Sequence, residues 1–181
     1  MSTLPAPIPS ASRASTVVAP WSRADPRVAT AAAYPETDLG LAERFALWWG
    51  HRWRYRPGHG WLRYQGTHWV LDDHGHSIDA DMHQVVRAVT DLETQRFTPG
   101  ADLRSATARD RRRRWGRSCE TPARMDAALR LARALPNVTL VEHEWDADPY
   151  AVNTRSGYLH LPSGVLVPSS PEQYCLSLIH I

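Results

Sequence analysis

The stretch EWDADPYAVNTRSGYLHLPSGVLVP, residues 144–168, decides the fold of the C-terminal part of the chain. Apolar and polar residues alternate in YAVN, YLHL and VLVP, which is typical of short, half-buried strands. TRSG and PSG separate these segments, and Gly157 and Gly164 can adopt the backbone conformations that tight turns require. The stretch therefore predicts a β-hairpin that closes the domain.

Two aspartates, Asp146 and Asp148, open this stretch and admit two interpretations. Their D-x-D spacing resembles the carboxylate pairs that hold metal ions in nucleotidyl-transfer enzymes. Pro149 follows at once, however, and the segments through Pro168 supply no further carboxylate. Aspartates also bond to nearby backbone groups in turns. We favour the structural role, and a metal-dependent primase or nucleotidyltransferase is the alternative.

The chain ahead of this stretch divides into an arm, a helix and a meander. Residues 1–36 are rich in Ala, Pro and Ser, which predicts a disordered arm. Apolar residues at helical spacing predict a helix over 39–49. Residues 51–75, HRWRYRPGHGWLRYQGTHWVLDDHG, alternate aromatic and polar residues around glycine turns, which predicts a small antiparallel meander. The even spacing of Trp53, Trp61 and Trp69 predicts that all three build one face of it.

Three further helices are predicted between the meander and the hairpin. One begins near Ile78, with Asp79 or Asp81 as its cap. A second covers residues 101–117, and the pair Thr121 and Pro122 begins a third. Together with the meander and the hairpin, these helices define an α+β domain.

The second of these helices carries a basic run, RDRRRRWGR, at residues 109–117. Such a helix can neutralise phosphates without reading a base sequence, and its tryptophan can stack on a base. The alternative is a solvated face or a subunit contact, helped by an ion pair between Asp110 and Arg114. The candidate nucleic-acid-binding residues are Arg109, Arg111, Arg112, Arg113, Arg114, Trp115 and Arg117.

Composition limits the chemistry of the chain. All 21 basic residues are arginine, and the absence of lysine excludes a Walker A loop and a Schiff-base lysine. We predict no catalytic residue and no metal site, since no nucleophile elbow is present and nothing fixes the geometry of the scattered histidines. Cys119 and Cys175 are interpreted as reduced thiols.

Three segments resemble, in their order along the chain, the helicase-associated N-terminal domain of phage and plasmid primase-helicases, to which poxvirus-type replication proteins are similar. They are TDLGLAERFALWWGHRWRYRPGHGWLRYQGTHWVLDD at residues 37–73, RSCETPARMDAALRLARALPNV at 117–138 and EWDADPYAVNTRSGYLHLPSGVLVP at 144–168. The resemblance covers residues 37–168. The opening helix matches at Asp38, Ala42, Glu43, Arg44 and Phe45, the first hairpin at Gly60, Trp61, Gly66 and Trp69, and the closing motif at Asp146, Asp148, Pro149, Asn153, Gly157, Leu161 and Gly164.

In that family the domain precedes a superfamily 3 AAA+ helicase motor, often with a primase domain further upstream. The resemblance implies an accessory domain that supports ring assembly and contacts DNA, in the cytoplasm of a bacterial cell and without membrane contact. ATP and Mg²⁺ would belong to the motor, and no cofactor is expected in this chain. A stand-alone arginine-rich nucleic-acid-binding module is the second alternative.

The expected motor does not follow Pro168 in this sequence, so we expect a chain truncated before it. Residues 169–181 are interpreted as a linker and tail. The ending YCLSLIHI turns abruptly apolar, and we expect residues from about 174 to be non-native.

Overall fold

The computed structural model describes residues 20–96 and 103–178, and in this part the chain is an α+β domain, as predicted. Within these two ranges, five α-helices pack beside two antiparallel sheets of three strands each. The helices are α1 Arg27–Ala33, α2 Asp38–Trp49, α3 His76–Asp91, α4 Leu103–Ser118 and α5 Pro122–Ala132. The strands are β1 Trp53–Arg56, β2 Gly60–Tyr64, β3 Trp69–Leu71, β4 Ala151–Thr154, β5 Gly157–His160 and β6 Val165–Val167. Short 3-10 helices are Glu93–Arg96, Glu142–Glu144 and Pro171–Gln173.

Helix α2 lies at the centre of the larger core. The Thr37 side chain accepts a hydrogen bond from the Gly40 amide at 3.0 Å and caps the helix. The helix thus begins one residue before the predicted 39. Its inward stripe packs mainly against α5, whose predicted start at Thr121 and Pro122 is confirmed. The buried residues of the stripe include Leu41, Phe45 and Trp48.

Residues 20–36 correct the prediction of a disordered arm. Residues 27–33 form α1, in which Val28 and Ala31 are buried, and the Trp21 ring stacks on Trp48 at 4.1 Å between centroids. The segment has few large apolar residues, but a tryptophan and small alanines suffice because they pack against the larger core around α2. Residues 1–19 lie outside the described part.

The meander β1-β2-β3 is present as predicted, but its tryptophans do not share one face. Trp53 pairs with Arg63 and Trp61 with Tyr55, so both tryptophans face the helical core. The turn at residues 65–68 pairs Trp69 with Tyr64, which places Trp69 on the opposite face. The face of a strand residue is set by its register rather than by its spacing in the sequence.

Helix α3 begins earlier than predicted, and neither expected aspartate caps it. Gly75 adopts a left-handed conformation before the helix, and the Asp72 carboxylate accepts a hydrogen bond from the Ile78 amide at 3.1 Å. Asp81 is instead buried and accepts a hydrogen bond from Trp53 Nε1 at 2.8 Å. Burial raises the pKa of the Asp81 carboxyl.

The C-terminal sheet consists of β4, β5 and β6, which correspond to the three predicted strand-like segments YAVN, YLHL and VLVP. A small cluster joins this sheet region to the outer face of the meander. Trp69 donates through Nε1 to the Pro171 carbonyl at 3.0 Å, and Asn153 donates to the Thr67 carbonyl at 2.8 Å. The cluster consists of Leu62, Trp69, Leu140 and Trp145, with Tyr174 and Leu176 packed against it.

Residues 174–178 pack against the domain rather than extending from it. The Trp69 amide donates to the Cys175 carbonyl at 2.8 Å, and Asn153 donates to the Ser177 carbonyl at 3.1 Å. These residues of the predicted tail are thus held on the domain, because the outer face of the meander offers aromatic surface for Tyr174 to cover. Their non-native origin stays a prediction, and residues 179–181 lie outside the described part.

Within the described residues, none of the helices combines the length and the apolar character needed to span a membrane.

Two glycines of the C-terminal sheet allow a matched test of its geometry. Gly157 has φ +144°, and a Cβ there would lie 2.4 Å from the Val167 carbonyl oxygen, whereas Gly164 has φ +66° and open space around it. We expect Gly157→Ala to cost roughly 2–4 kcal/mol through strain and the clash, and Gly164→Ala about 1 kcal/mol through strain alone. Urea unfolding measures both, and equal losses would contradict this geometry.

Candidate nucleic-acid interface

The basic helix α4 is anchored to the domain by one of its own arginines. The Arg112 side chain is buried and donates to the Glu36 carboxylate at 3.0 Å and to the Ala32 carbonyl at 3.1 Å. Its guanidinium also forms an ion pair with Glu93. Arg112 is therefore not placed to bind nucleic acid, because its guanidinium already bonds to Glu36, Glu93 and the Ala32 carbonyl inside the protein.

A second arginine, Arg44 of α2, approaches the same glutamate. Its guanidinium makes two hydrogen bonds to the Glu93 carboxylate, at 2.8 and 3.1 Å, and both side chains are fully buried. The Arg44 donors that remain bond to the carbonyls of Tyr34, Pro35 and Gly40 at 2.8–2.9 Å. Glu93 thus lies between two buried guanidinium groups, and we call Arg44, Glu93 and Arg112 the buried triad.

Trp115 belongs to the inward face of α4. Its side chain is buried, and the guanidinium carbons of Arg44 and Arg112 lie 4.9 and 5.8 Å from the ring centroid. The prediction that Trp115 stacks on a base is therefore wrong for this conformation. Residues 112 and 115 are one turn apart, so the helix buries them together.

The outward face of α4 keeps arginines that could meet an anion. Arg111 is exposed but lies 3.2 Å from the Glu36 carboxylate, and Arg109 is half-buried. The expected pairing of Asp110 with Arg114 is not formed among the described residues, where the ion pairs of this helix run to Glu36 and Glu93. On α4, the arginines with described side chains that are exposed and form no ion pair are Arg113, Arg114 and Arg117.

The aspartates of the closing motif make turn contacts. Asp146 has φ +47°, and its carboxylate accepts a hydrogen bond from the Leu176 amide at 3.1 Å. The Asp148 carboxylate accepts from the Tyr150 amide at 2.9 Å and from the Tyr158 hydroxyl at 3.2 Å. In the part of the chain that the structure describes, no group of three potential ligands joins them. These contacts favour the turn interpretation over the metal-dependent one.

The two cysteines are free and buried. Burial, followed by the nearby charges of Asp146 and Asp148, raises the pKa of the Cys175 thiol to about 11. Burial also raises the pKa of Cys119. Both groups are therefore thiols rather than thiolates at neutral pH, and the thiolate is the form that reacts as a nucleophile.

The remaining motif residues occupy turns and packing positions. Gly60 begins β2 with φ +119°, and Trp61 meets the Phe45 ring edge-on at 5.8 Å. Pro149 is exposed directly ahead of β4, and Asn153 is the buried link between the two sheets. These residues hold the fold together and do not converge with the arginines of α4.

Sequence reasoning missed Glu36 and Glu93, which decide the orientation of α4. Neither glutamate belongs to a recognisable motif. Glu93 lies just after the end of α3, where a polar residue is usually exposed to solvent. The one signal was the position of Arg44, a charged residue on the apolar face of α2, which requires a buried partner.

A family model described as "D5 N terminal like" matches residues 42–181. The chain therefore belongs to this family, the N-terminal domains of D5-like phage and poxvirus primase-helicase proteins, and the predicted resemblance is confirmed. The matched range starts slightly later than residue 37 and continues past residue 168, through the packed segment that follows β6. A search of curated proteins gave no match.

Proposed function

We propose that this N-terminal domain of a primase-helicase-type replication protein contacts the DNA backbone through the outward arginines of α4. The observation that carries the proposal is that Arg113, Arg114 and Arg117 are exposed without an ion-pair partner in the described ranges. Arginine offers planar, permanently charged donors that suit phosphate. Contacts of this kind position a protein on DNA without reading its sequence.

The fixed orientation of α4 adds to the proposal. Because Arg112 and Trp115 are held inside, Arg113, Arg114 and Arg117 are left on the exposed side of the helix. A helix that is fixed before DNA arrives needs less ordering on binding than a free basic segment. The domain would thus present a preformed positive surface.

In the parent protein, this domain would be an accessory to an ATP-driven motor. ATP and Mg²⁺ would bind to that motor, since the lysine-free chain lacks the residue that reaches the β- and γ-phosphates in a P-loop. The domain would therefore add DNA affinity to unwinding and would not hydrolyse nucleotide itself.

The DNA contact predicts a salt-dependent affinity that depends on α4. We expect Arg113, Arg114 and Arg117 together changed to alanine to weaken binding to a labelled oligothymidylate roughly tenfold or more. The slope of log affinity against log salt should also fall by about 0.7 for each arginine that no longer neutralises a phosphate. Fluorescence anisotropy across a salt series measures both quantities.

The matched control removes three exposed arginines from other elements, Arg23, Arg130 and Arg155, and should retain most of the affinity. Wild-type chain that fails to bind DNA at low salt would overturn the proposal. So would equal losses in the two triple variants, because a diffuse positive charge would then explain the binding.

We further propose that the free edge of β6 supports contact between copies of the chain, as ring assembly requires. In the described structure β6 pairs with β5 alone, and all three of its residues are exposed and apolar. An open strand edge is a template for pairing with another chain. The exposed apolar residues of this region are Leu161, Val165, Leu166 and Val167.

Self-association through β6 should be lost when a charge enters the strand. We expect Leu166→Arg to shift the chain toward monomer in sedimentation equilibrium, since burying the guanidinium at the contact is costly. Leu39→Arg on α2 is the control, because the two leucines are similarly exposed, at 52 % and 48 %. A wild-type chain that stays monomeric at high concentration, or equal behaviour of the two variants, would reject this role.

A further inference from the structure

Helices α3 and α4 approach closely at Gly116. A Cβ at this position would lie 2.6 Å from Thr90 Cγ2 and 3.1 Å from Val89 Cγ1, so a larger residue would push the helices apart. A polar groove opens beside this contact. Its lining includes Arg87, Thr90, Asp91, Arg113, Arg117 and Glu120.

The charges that line the groove are not all neutralised by one another. Arg87 of α3 pairs with Glu120 at 3.1 Å, and both partners are partly exposed, at 47 % and 33 % of their side chains. Asp91 accepts a hydrogen bond from Thr90 Oγ1 at 3.3 Å. Arg113 and Arg117 make no ion pair within the described ranges. They stand four residues apart and so project from the same side of α4.

We propose that this groove binds a phosphodiester group of the DNA backbone, with Arg113 and Arg117 as its direct donors, and that Glu120 competes with the phosphate for Arg87. This inference rests on the proposed function and adds a defined binding place to it. It also assigns a role to Arg87, which lies outside the basic run and on a different helix.

The competition follows from the strength of the two possible partners of Arg87. An ion pair that remains open to water contributes little, because solvent and salt screen it. A phosphate that Arg113 and Arg117 already bind would be a stronger partner for Arg87 than Glu120, because charge-assisted hydrogen bonds to a phosphate are strong. Glu120 repels that anion at the same time, so removing its charge should strengthen binding in two ways.

The test compares Glu120→Gln with Asp73→Asn in binding to the labelled oligothymidylate. Each variant removes one negative charge, and Asp73 is exposed before the start of α3, at the opposite end of that helix from Arg87. We expect Glu120→Gln to tighten binding about threefold or more and Asp73→Asn to change it much less, since charges more than a Debye length away are screened.

A second pair of variants tests the link to Arg87. We expect Arg87→Gln to weaken binding about threefold or more and Arg155→Ala to have a small effect. Glu120→Gln should have a smaller effect in the Arg87→Gln background, because Glu120 then has no guanidinium to release. Thermal unfolding of each variant checks that the fold is retained.

The outcomes separate this inference from the proposed function. If the wild-type chain binds DNA through α4 but Glu120→Gln matches Asp73→Asn, the groove is rejected and the α4 contact stands. If Arg87→Gln and Arg155→Ala have the same effect on DNA affinity, the groove is likewise rejected and the α4 contact still stands. If the wild-type chain does not bind DNA at all, both are rejected.

Discussion

A buried carboxylate shared by two arginines fixes the arrangement of the helical half of this domain. Glu93 receives the guanidinium of Arg44 from α2 and that of Arg112 from α4, and all three side chains lie inside the protein. Burying such charges is expensive and is tolerated only when their hydrogen bonds are satisfied. Here the carbonyls of the α1–α2 connection and Glu36 complete the set. The triad therefore adds a polar connection between α2, α4 and the 3-10 helix Glu93–Arg96, beside the apolar core that α2, α3 and α4 share.

The triad also determines which residues of α4 reach solvent. Successive residues of a helix turn by about 100°, so holding Arg112 and Trp115 inside leaves Arg113, Arg114 and Arg117 outside. The same run of arginines thus contains a buried structural residue, Arg112, and exposed residues with an identical side chain. The environment of each side chain separates the two roles.

Local patterns predicted much of the fold. Helix α2, the start of α5, the meander and the closing hairpin follow from apolar periodicity and turn glycines, which act over a few residues. The face of Trp69 required the register of the turn at 65–68, and the docking of Trp21 required Trp48. Residues far apart in the sequence decided these outcomes. The orientation of α4 could not be predicted from the local sequence for the same reason, because the partners of Arg112, Glu36 and Glu93, come from two other segments.

The free energy of unfolding of Glu93→Gln tests the role of the triad most directly. The substitution keeps the shape of the side chain and leaves two buried guanidiniums without their shared charge, so we predict a loss of about 3–5 kcal/mol. The control is Glu142→Gln, whose glutamate pairs with Arg56 in an exposed ion pair and should matter little. Hydrogen exchange should show weaker protection of α4 in the Glu93 variant. Stability and α4 protection equal to those of the Glu142 variant would contradict this account.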